Sequence, residues 1–316
     1  MERIAVLAAR VRENVERVIV GAAEAIDLAL VALLTDGHIL IEDVPGTGKT
    51  MLAKALARSI GCTYRRIQCT PDLLPSDITG LYYFNQRAQE FEFRPGPVFA
   101  QILLADEINR ATPRTQAALL EAMQEQQVTV EGATYPLPRP FLVLATQNPI
   151  ELQGTFPLPE AQLDRFLLRL TLGYPDAERE REILRRFATG DPLADLEPVA
   201  TADELLDARL RVREVVVAAV VEGYIVDLAR ETRRHAEIEL GLSPRGTLAL
   251  HRSSQALAAV RGRTFVLPDD VKALAPAVIP HRLILSTHAR LRERSAAELT
   301  AEILHAVPAP VEQEAR

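Results

Sequence analysis

The sequence contains few cysteines and no long apolar run. Cys62 and Cys69 are too few for a disulfide framework, and so few thiols are typical of proteins from a reducing compartment. No apolar run is longer than residues 215–221, whereas a membrane-spanning helix needs ~20 apolar residues. Charged side chains recur throughout residues 1–18, where a signal peptide would need an apolar core. We therefore expect a cytoplasmic protein without a membrane span.

Basic residues are also scarce relative to acidic ones. The sequence has 36 Lys and Arg residues and 43 Asp and Glu residues, a formal net charge of −7, and this balance argues against nucleic acid as a partner. With 48% hydrophobic and 25% charged residues, the composition is that of a folded protein and excludes a disordered one. The 316 residues are enough for two domains.

The first half of the chain alternates between short apolar runs and helix-like stretches. We predict strands over residues 38–41, 64–69, 102–105, 141–145 and 167–172, and helices over 50–60 and 114–125. Such alternation is typical of a parallel sheet covered by helices, so residues 1–188 are predicted to form an α/β core. Residues 189–316 are predicted to form a smaller all-helical domain, with helices over 203–219, 222–235, 245–260 and 269–275.

A glycine-rich stretch follows the first predicted strand and opens a helix. Glycines let backbone N–H groups approach nucleotide phosphates, Lys49 would meet the β- and γ-phosphates, and the Thr50 hydroxyl would bind Mg²⁺. Asp43 stands where the usual pattern has its first glycine. The residues predicted to bind the nucleotide are Pro45, Gly46, Thr47, Gly48, Lys49, Thr50, Met51 and Asp106. ATP and Mg²⁺ are therefore the expected cofactors.

Polar residues end two further apolar strands. Asp106 and Glu107 follow residues 102–105; Asp106 would bind Mg²⁺, and Glu107 would orient and polarise the attacking water. Asn148 follows residues 141–145 and can position that water, although by itself it also suits a turn before a proline. Because ligands collect at the carboxyl ends of parallel strands, we predict that these three side chains share one catalytic site.

Two arginines are candidates for stabilising the transition state. Arg165 precedes the fifth predicted strand, and Arg245 opens a helix of the second half. Either could be an ordinary surface charge, but phosphoryl transfer needs added positive charge on the γ-phosphate. A neighbouring subunit or a mobile lid could supply that charge.

Taken together, these stretches resemble the MoxR family of AAA+ ATPases. The matching segments are VPGTGKT (44–50), QCTPDLLPSDITG (68–80), FEFRPGPV (91–98), ADEINRATPRTQAALLEAMQE (105–125), ATQNP (145–149), FPLPEAQLDRFLL (156–168) and GLSPR (241–245). The resemblance implies a five-stranded parallel sheet of order 5-1-4-3-2 and a helical lid packed beside the nucleotide. It also implies one β-hairpin around residues 82–93, inserted in the second helix, and another around 128–137.

The resemblance also assigns roles and partners. Asn148 would be the sensor-1 residue, Arg165 the arginine finger acting on a neighbouring subunit, and Arg245 the sensor-2 residue of the lid. Arg169 is a weaker candidate for the finger. Family members are expected to form hexameric rings and to act as chaperone-like machines with von Willebrand factor A domain proteins. Their work is the remodelling or maturation of client complexes, including metal insertion.

Three other functions fit part of the pattern. A magnesium-chelatase-like motor subunit would share the same inserts, and a client assay would separate it from a chaperone-like ATPase. A DNA-translocating AAA+ protein is disfavoured by the net charge of −7. A nucleotide switch that does not hydrolyse ATP would have no need of Glu107, Asn148 and Arg165 together.

Overall fold

A computed structural model describes residues 1–148, 154–188 and 190–310. Its helices are α1 (Glu2–Glu16), α2 (Ala23–Leu34), α3 (Lys49–Ser59), α4 (Pro75–Thr79), α5 (Pro113–Glu125), α6 (Glu160–Leu163), α7 (Ala177–Ala188), α8 (Ala202–Val212), α9 (Ala219–Arg234), α10 (Pro244–Val260), α11 (Pro268–Val278), α12 (Thr287–Leu291) and α13 (Ala296–Ala306). Its strands are β1 (Ile39–Glu42), β2 (Tyr64–Gln68), β3 (Gly80–Asn85), β4 (Glu90–Pro95), β5 (Ile102–Asp106), β6 (Gln127–Val130), β7 (Ala133–Pro136), β8 (Leu142–Gln147), β9 (Leu168–Leu170), β10 (Ile238–Leu240) and β11 (Ile284–Leu285).

Five of these strands form the central sheet in the order β2-β5-β8-β1-β9, and all of its pairings are parallel. Numbered along the chain, the core strands β1, β2, β5, β8 and β9 run 2-3-4-1-5 across the sheet. The predicted order 5-1-4-3-2 is therefore confirmed. Since every strand points the same way, the loops after β1, β5 and β8 meet at one edge of the sheet.

Both faces of the sheet are buried, which explains why its central strands are continuous apolar runs. Ile39 and Leu104 belong to one buried cluster, together with side chains of α2 and α3. Leu40 and Leu103, the alternate residues of the same strands, belong to a second cluster with side chains of α5. The period-two alternation of strand side chains thus places α2 and α3 on one face and α5 on the other.

The two implied hairpins are present. β3 pairs with β4, and β6 pairs with β7, each as an antiparallel two-stranded ribbon. The ring of Phe93 stacks on Tyr135 with centroids 4.2 Å apart, so the first hairpin packs against the second. The five-residue helix α4 precedes the first hairpin, and the chain passes from β4 to β5 without a further helix.

The helical half differs from the prediction in two places. The helix predicted over residues 203–219 ends at Val212, because Val216 takes an extended conformation and exchanges backbone hydrogen bonds with Thr264 and Val266. Three consecutive valines favour that conformation over a helix, since their branched side chains are restricted in a helix. The predicted all-helical character is also incomplete, because β10 and β11 form a short antiparallel ribbon.

Helices from both halves share one core. The side chain of Asn14, on α1, donates to the carbonyl of Glu197 over 2.9 Å, and Arg209, on α8, donates to the carbonyl of Leu33 over 2.5 Å. The division at residue 188 stays a prediction, and residue 189 itself lies outside the described residues. Among the residues that are described, no helix combines the length and the apolar character that crossing a bilayer requires.

Candidate functional site

The glycine-rich loop joins the end of β1 to the start of α3. Gly46 and Gly48 have φ angles of +86° and +90°, which side chains of L-residues rarely adopt. A Cβ atom added at either glycine would meet no atom within 4 Å, so the loop borders open space. Backbone N–H groups at the start of α3 favour an anion there, and the residues present therefore fit a nucleotide's phosphates.

Lys49 already lies over this loop. Its Nζ atom donates to the carbonyl oxygens of Asp43 and Val44 over 2.8 and 2.9 Å. These two bonds keep the ammonium group at the loop. When a triphosphate binds there, its charged oxygens would replace the neutral carbonyl oxygens as acceptors. Charge-assisted hydrogen bonds of that kind are the stronger ones.

Asp43, which replaces the expected first glycine, holds the start of the loop. Its carboxylate accepts backbone N–H groups from Val44 (2.8 Å), Leu172 (2.8 Å) and Gly173 (2.9 Å). The side chain is buried, with 5% of the residue exposed. Asp43 therefore connects the phosphate loop to the segment that follows β9. The residue that departs from the usual pattern acts as a structural anchor.

Replacing Asp43 by Ala is expected to lower the melting temperature and weaken ATP binding. Each buried N–H group left without an acceptor costs about 1–3 kcal/mol, and the loop loses its attachment to the end of β9. Asp43→Asn is the matched control. Because it keeps one acceptor oxygen, its melting temperature and ATP affinity should lie between those of the wild type and those of Asp43→Ala. Differential scanning calorimetry and nucleotide titration measure both effects. Unchanged stability and affinity in Asp43→Ala would remove the anchor role.

Asp106 ends β5, Glu107 follows it, and a side chain of β8 contacts both. The Thr146 hydroxyl donates to Oδ1 of Asp106 over 2.6 Å and accepts the backbone N–H of Glu107 over 2.8 Å. Thr146 is 1% exposed, so this link is shielded from water. Sequence reasoning missed Thr146; the available signal was a hydroxyl side chain inside an otherwise apolar strand.

Two side chains of β2 also reach the acids, and sequence reasoning predicted neither contact. Nη2 of Arg66 lies 2.6 Å from Oδ2 of Asp106. Nε2 of Gln68 donates to Oε2 of Glu107 over 2.9 Å, and Arg110 donates to the same oxygen over 3.1 Å. Because β2 pairs with β5 in register from residue 64 opposite 102 to residue 68 opposite 106, the contacts made by Arg66 and Gln68 follow from the sheet.

The predicted sensor-1 residue lies on the neighbouring strand end. Asn148 directly follows β8, which lies between β1 and β5 in the sheet. The phosphate loop, the two acids and Asn148 therefore share the carboxyl edge of the sheet, as predicted. Pro149, the last residue of the matching segment, lies outside the described residues.

The oxygen donors at this edge fit a magnesium ion. Thr50 lies in the first turn of α3 and Asp106 ends β5, so a hydroxyl and a carboxylate are the available protein ligands. Within the described part of the chain, no group of three His, Cys, Asp or Glu side chains could hold a metal by itself. Magnesium bound with a nucleotide needs no such group, because phosphates and water complete its coordination.

Arg165 and Arg245 lie elsewhere. Both line one cavity of about 310 Å³ together with Gly37 and His38, which precede β1. This cavity is at the edge where the parallel strands begin, whereas the phosphate loop is at the edge where they end. The resemblance implied a lid beside the nucleotide; in this structure Arg245, the lid residue, lines a cavity with Arg165 at the edge away from the phosphate loop.

A partly buried polar network holds those two arginine segments together. Asp164 accepts Nε of Arg282 over 2.8 Å and the hydroxyl of Ser243 over 3.0 Å. Ser243 also caps α10 by accepting the N–H of Gly246 over 3.1 Å. Burial lowers the pKa of Arg282 to about 10, and the neighbouring Asp164 carboxylate opposes that shift. The turn that carries Arg165 and the helix that carries Arg245 are thus joined through Asp164.

The two candidates for the arginine finger differ in their partners. Arg169 donates to Oε2 of Glu42 over 3.0 Å, an ion pair within the chain. Neither Arg165 nor Arg245 forms an ion pair with any residue that the structure describes.

The parallel five-stranded core, the phosphate loop and the paired acids define a P-loop ATPase of the AAA+ class. Residues 38–168 match the ATPase family associated with various cellular activities (AAA), and residues 230–303 match the AAA lid domain. The chain is 43% identical to Chaperone MoxR1 of Mycobacterium tuberculosis, over 94% of this chain and 81% of that protein. The chain belongs to the MoxR family of AAA+ ATPases, and ATP hydrolysis is its activity.

Two further similarities support the same assignment. The chain is 48% identical to the uncharacterised protein YeaC of Bacillus subtilis, over 96% of this chain and 95% of that protein. A crystal structure from Cytophaga hutchinsonii, whose description assigns it provisionally to the ATPases, superimposes with a TM-score of 0.91 at 38% identity. That similarity covers 98% of each chain.

Proposed function

We propose that this chain is a magnesium-dependent ATPase that works in a ring of identical subunits and remodels client protein complexes. One observation carries the proposal: the phosphate loop and the acids lie at one edge of the sheet, and Arg165 and Arg245 lie at the other. A single chain cannot bring both sets to one γ-phosphate. Two chains packed head to tail can, and repetition of that contact around an axis closes a ring.

The residues divide the work between the two chains of each contact. In the chain that binds ATP, Lys49 holds the β- and γ-phosphates, Thr50 and Asp106 hold Mg²⁺, and Glu107 and Asn148 place the attacking water. Bound Mg²⁺ would supply charge neutralisation at the phosphates. From the neighbouring chain, Arg165 and Arg245 stabilise the charge that develops on the γ-phosphate. Asp164 joins the turn that carries Arg165 to Ser243, which caps the helix that carries Arg245.

The remaining parts of the proposal concern assembly and clients. A hexamer is the expected ring, and a von Willebrand factor A domain protein is the expected partner. The relative named Chaperone MoxR1 supports a chaperone-like role in maturation, with metal insertion as one form of it. The work would take place in the cytoplasm. A magnesium-chelatase-like motor would use the same ATPase site, so identification of co-purified proteins from the native cell separates the two functions.

Replacing Lys49 by Ala tests the nucleotide site. Loss of a charged hydrogen bond worth about 1.5–3 kcal/mol should weaken ATP binding roughly 10- to 100-fold, and turnover should stop. Lys54→Ala, on the same helix, is the control and should bind ATP normally. Equilibrium binding of a fluorescent ATP analogue measures the affinity. Wild-type affinity in Lys49→Ala would show that the phosphate loop does not bind ATP.

A further inference from the structure

Arg66 forms an ion pair with the carboxylate proposed to bind magnesium. Its Nη2 and Nε atoms lie 2.6 and 3.2 Å from Oδ2 of Asp106, while Oδ1 of Asp106 is occupied by the Thr146 hydroxyl. The Asp106 side chain is 15% exposed and the Arg66 side chain 46%. Arg66 therefore covers a largely buried carboxylate from the solvent side.

The other cations near the site are engaged elsewhere. Lys49 donates to backbone carbonyls of its own loop, and Arg110 contacts Glu107. Two adjacent carboxylates at one strand end repel each other, and a positive charge beside Asp106 offsets part of that repulsion. Arg66 supplies that charge in the arrangement seen here.

We propose that Arg66 is a placeholder cation that neutralises Asp106 until the carboxylate takes a magnesium ion. This inference rests on the proposed role of Asp106 in binding Mg²⁺. Arg66 has to leave Oδ2 for that oxygen to become a metal ligand, and the broken ion pair opposes metal binding. In the absence of metal, the same arginine shields incoming phosphates from the charge of Asp106. Arg66 thereby sets how strongly nucleotide binding depends on magnesium.

Arg66 also connects Asp106 to the second acid. Its Nη2 atom lies 2.6 Å from Oε1 of Gln68, and Gln68 donates in turn to Glu107. The two acids are thus linked through two side chains of β2.

The test compares nucleotide affinity with and without magnesium. A fluorescent, non-hydrolysable ATP analogue is titrated into the full-length wild-type protein, once in excess Mg²⁺ and once in EDTA. The dissociation constant in EDTA is then divided by the dissociation constant in Mg²⁺ to give the ratio. In Arg66→Ala, binding in EDTA should weaken and binding in Mg²⁺ should hold or tighten. The ratio should rise roughly two- to fivefold, the range set by the strength of partly exposed ion pairs. Arg66→Lys keeps a charge and should give a smaller rise.

Arg65→Ala is the matched control. Arg65 neighbours Arg66 on β2, is exposed, and points to the opposite side of the strand, so its removal should leave the ratio at the wild-type value. An unchanged or smaller ratio in Arg66→Ala would overturn the proposal. Failure of the underlying role of Asp106 gives a different result, since Asp106→Asn would then keep the full dependence on magnesium. Thermal melting of each variant checks that the fold is intact.

Discussion

A mixture of Arg165→Ala and Lys49→Ala chains is expected to hydrolyse ATP although neither variant does so alone. An Arg165→Ala chain keeps its own phosphate loop and lacks only the charge that it gives to a neighbour. A Lys49→Ala chain has the opposite defect. An arginine finger is worth ~10³–10⁵ in rate, so Arg165→Ala alone should lose nearly all activity while its ATP affinity holds. Mixed rings place intact loops beside intact arginines, and a steady-state ATPase assay measures the recovery.

The same experiment decides on which nucleotide Arg245 acts. Because Arg245 lines the same cavity as Arg165, we expect it to serve the neighbour's pocket as well. Arg245→Ala should then recover activity with Lys49→Ala and fail to recover it with Arg165→Ala, since neither chain of the second mixture carries both arginines. If Arg245 served its own pocket, the two results would be reversed.

Controls for the mixtures follow from the geometry. Arg169→Ala should retain most of the activity, because Arg169 is paired with Glu42 inside its own chain. Recovery should disappear at dilutions where size-exclusion chromatography shows separated subunits. Full activity of Arg165→Ala alone would contradict the finger assignment. So would absent recovery in a mixture with Lys49→Ala that demonstrably co-assembles.

Changing Glu107 to Gln should give a protein that binds Mg·ATP and does not hydrolyse it. The amide cannot take the proton of the attacking water, so turnover should fall by about 10²–10⁴, the usual contribution of general base catalysis. Its remaining carbonyl oxygen can still accept the hydrogen bond from Gln68, so the local arrangement should persist. Acid quenching and chromatography of the bound nucleotide should recover intact ATP.

The control for this variant is Glu125→Gln, a change of the same type at the end of α5, which should leave turnover unaffected. Rapid release of ADP by Glu107→Gln would exclude Glu107 from the reaction. Loss of ATP binding in the same variant would indicate instead that Glu107 holds the nucleotide.

Local chemistry made much of the core predictable. Strands β5 and β8 are short, apolar and buried on both faces, and such runs are recognisable without knowledge of their neighbours. The glycines of the phosphate loop and the acids after β5 are adjacent in the chain, so their motifs can be read directly. The helix predicted over residues 203–219 was wrong because the extended conformation of Val216 depends on a partner strand segment near Phe265.

The sequence by itself determined the class of this protein: a parallel nucleotide-binding core, its phosphate loop and the two acids that follow an apolar strand. Tertiary structure alone decided which distant side chains meet. The register of β2 against β5 brings Arg66 to Asp106, 40 residues away, and the Asp164 network places Arg245 beside Arg165. Motifs report residues that are close along the chain, whereas these contacts depend on how separate elements pack. The placement of the phosphate loop and of the two arginines at opposite edges of the sheet is therefore a property of the fold.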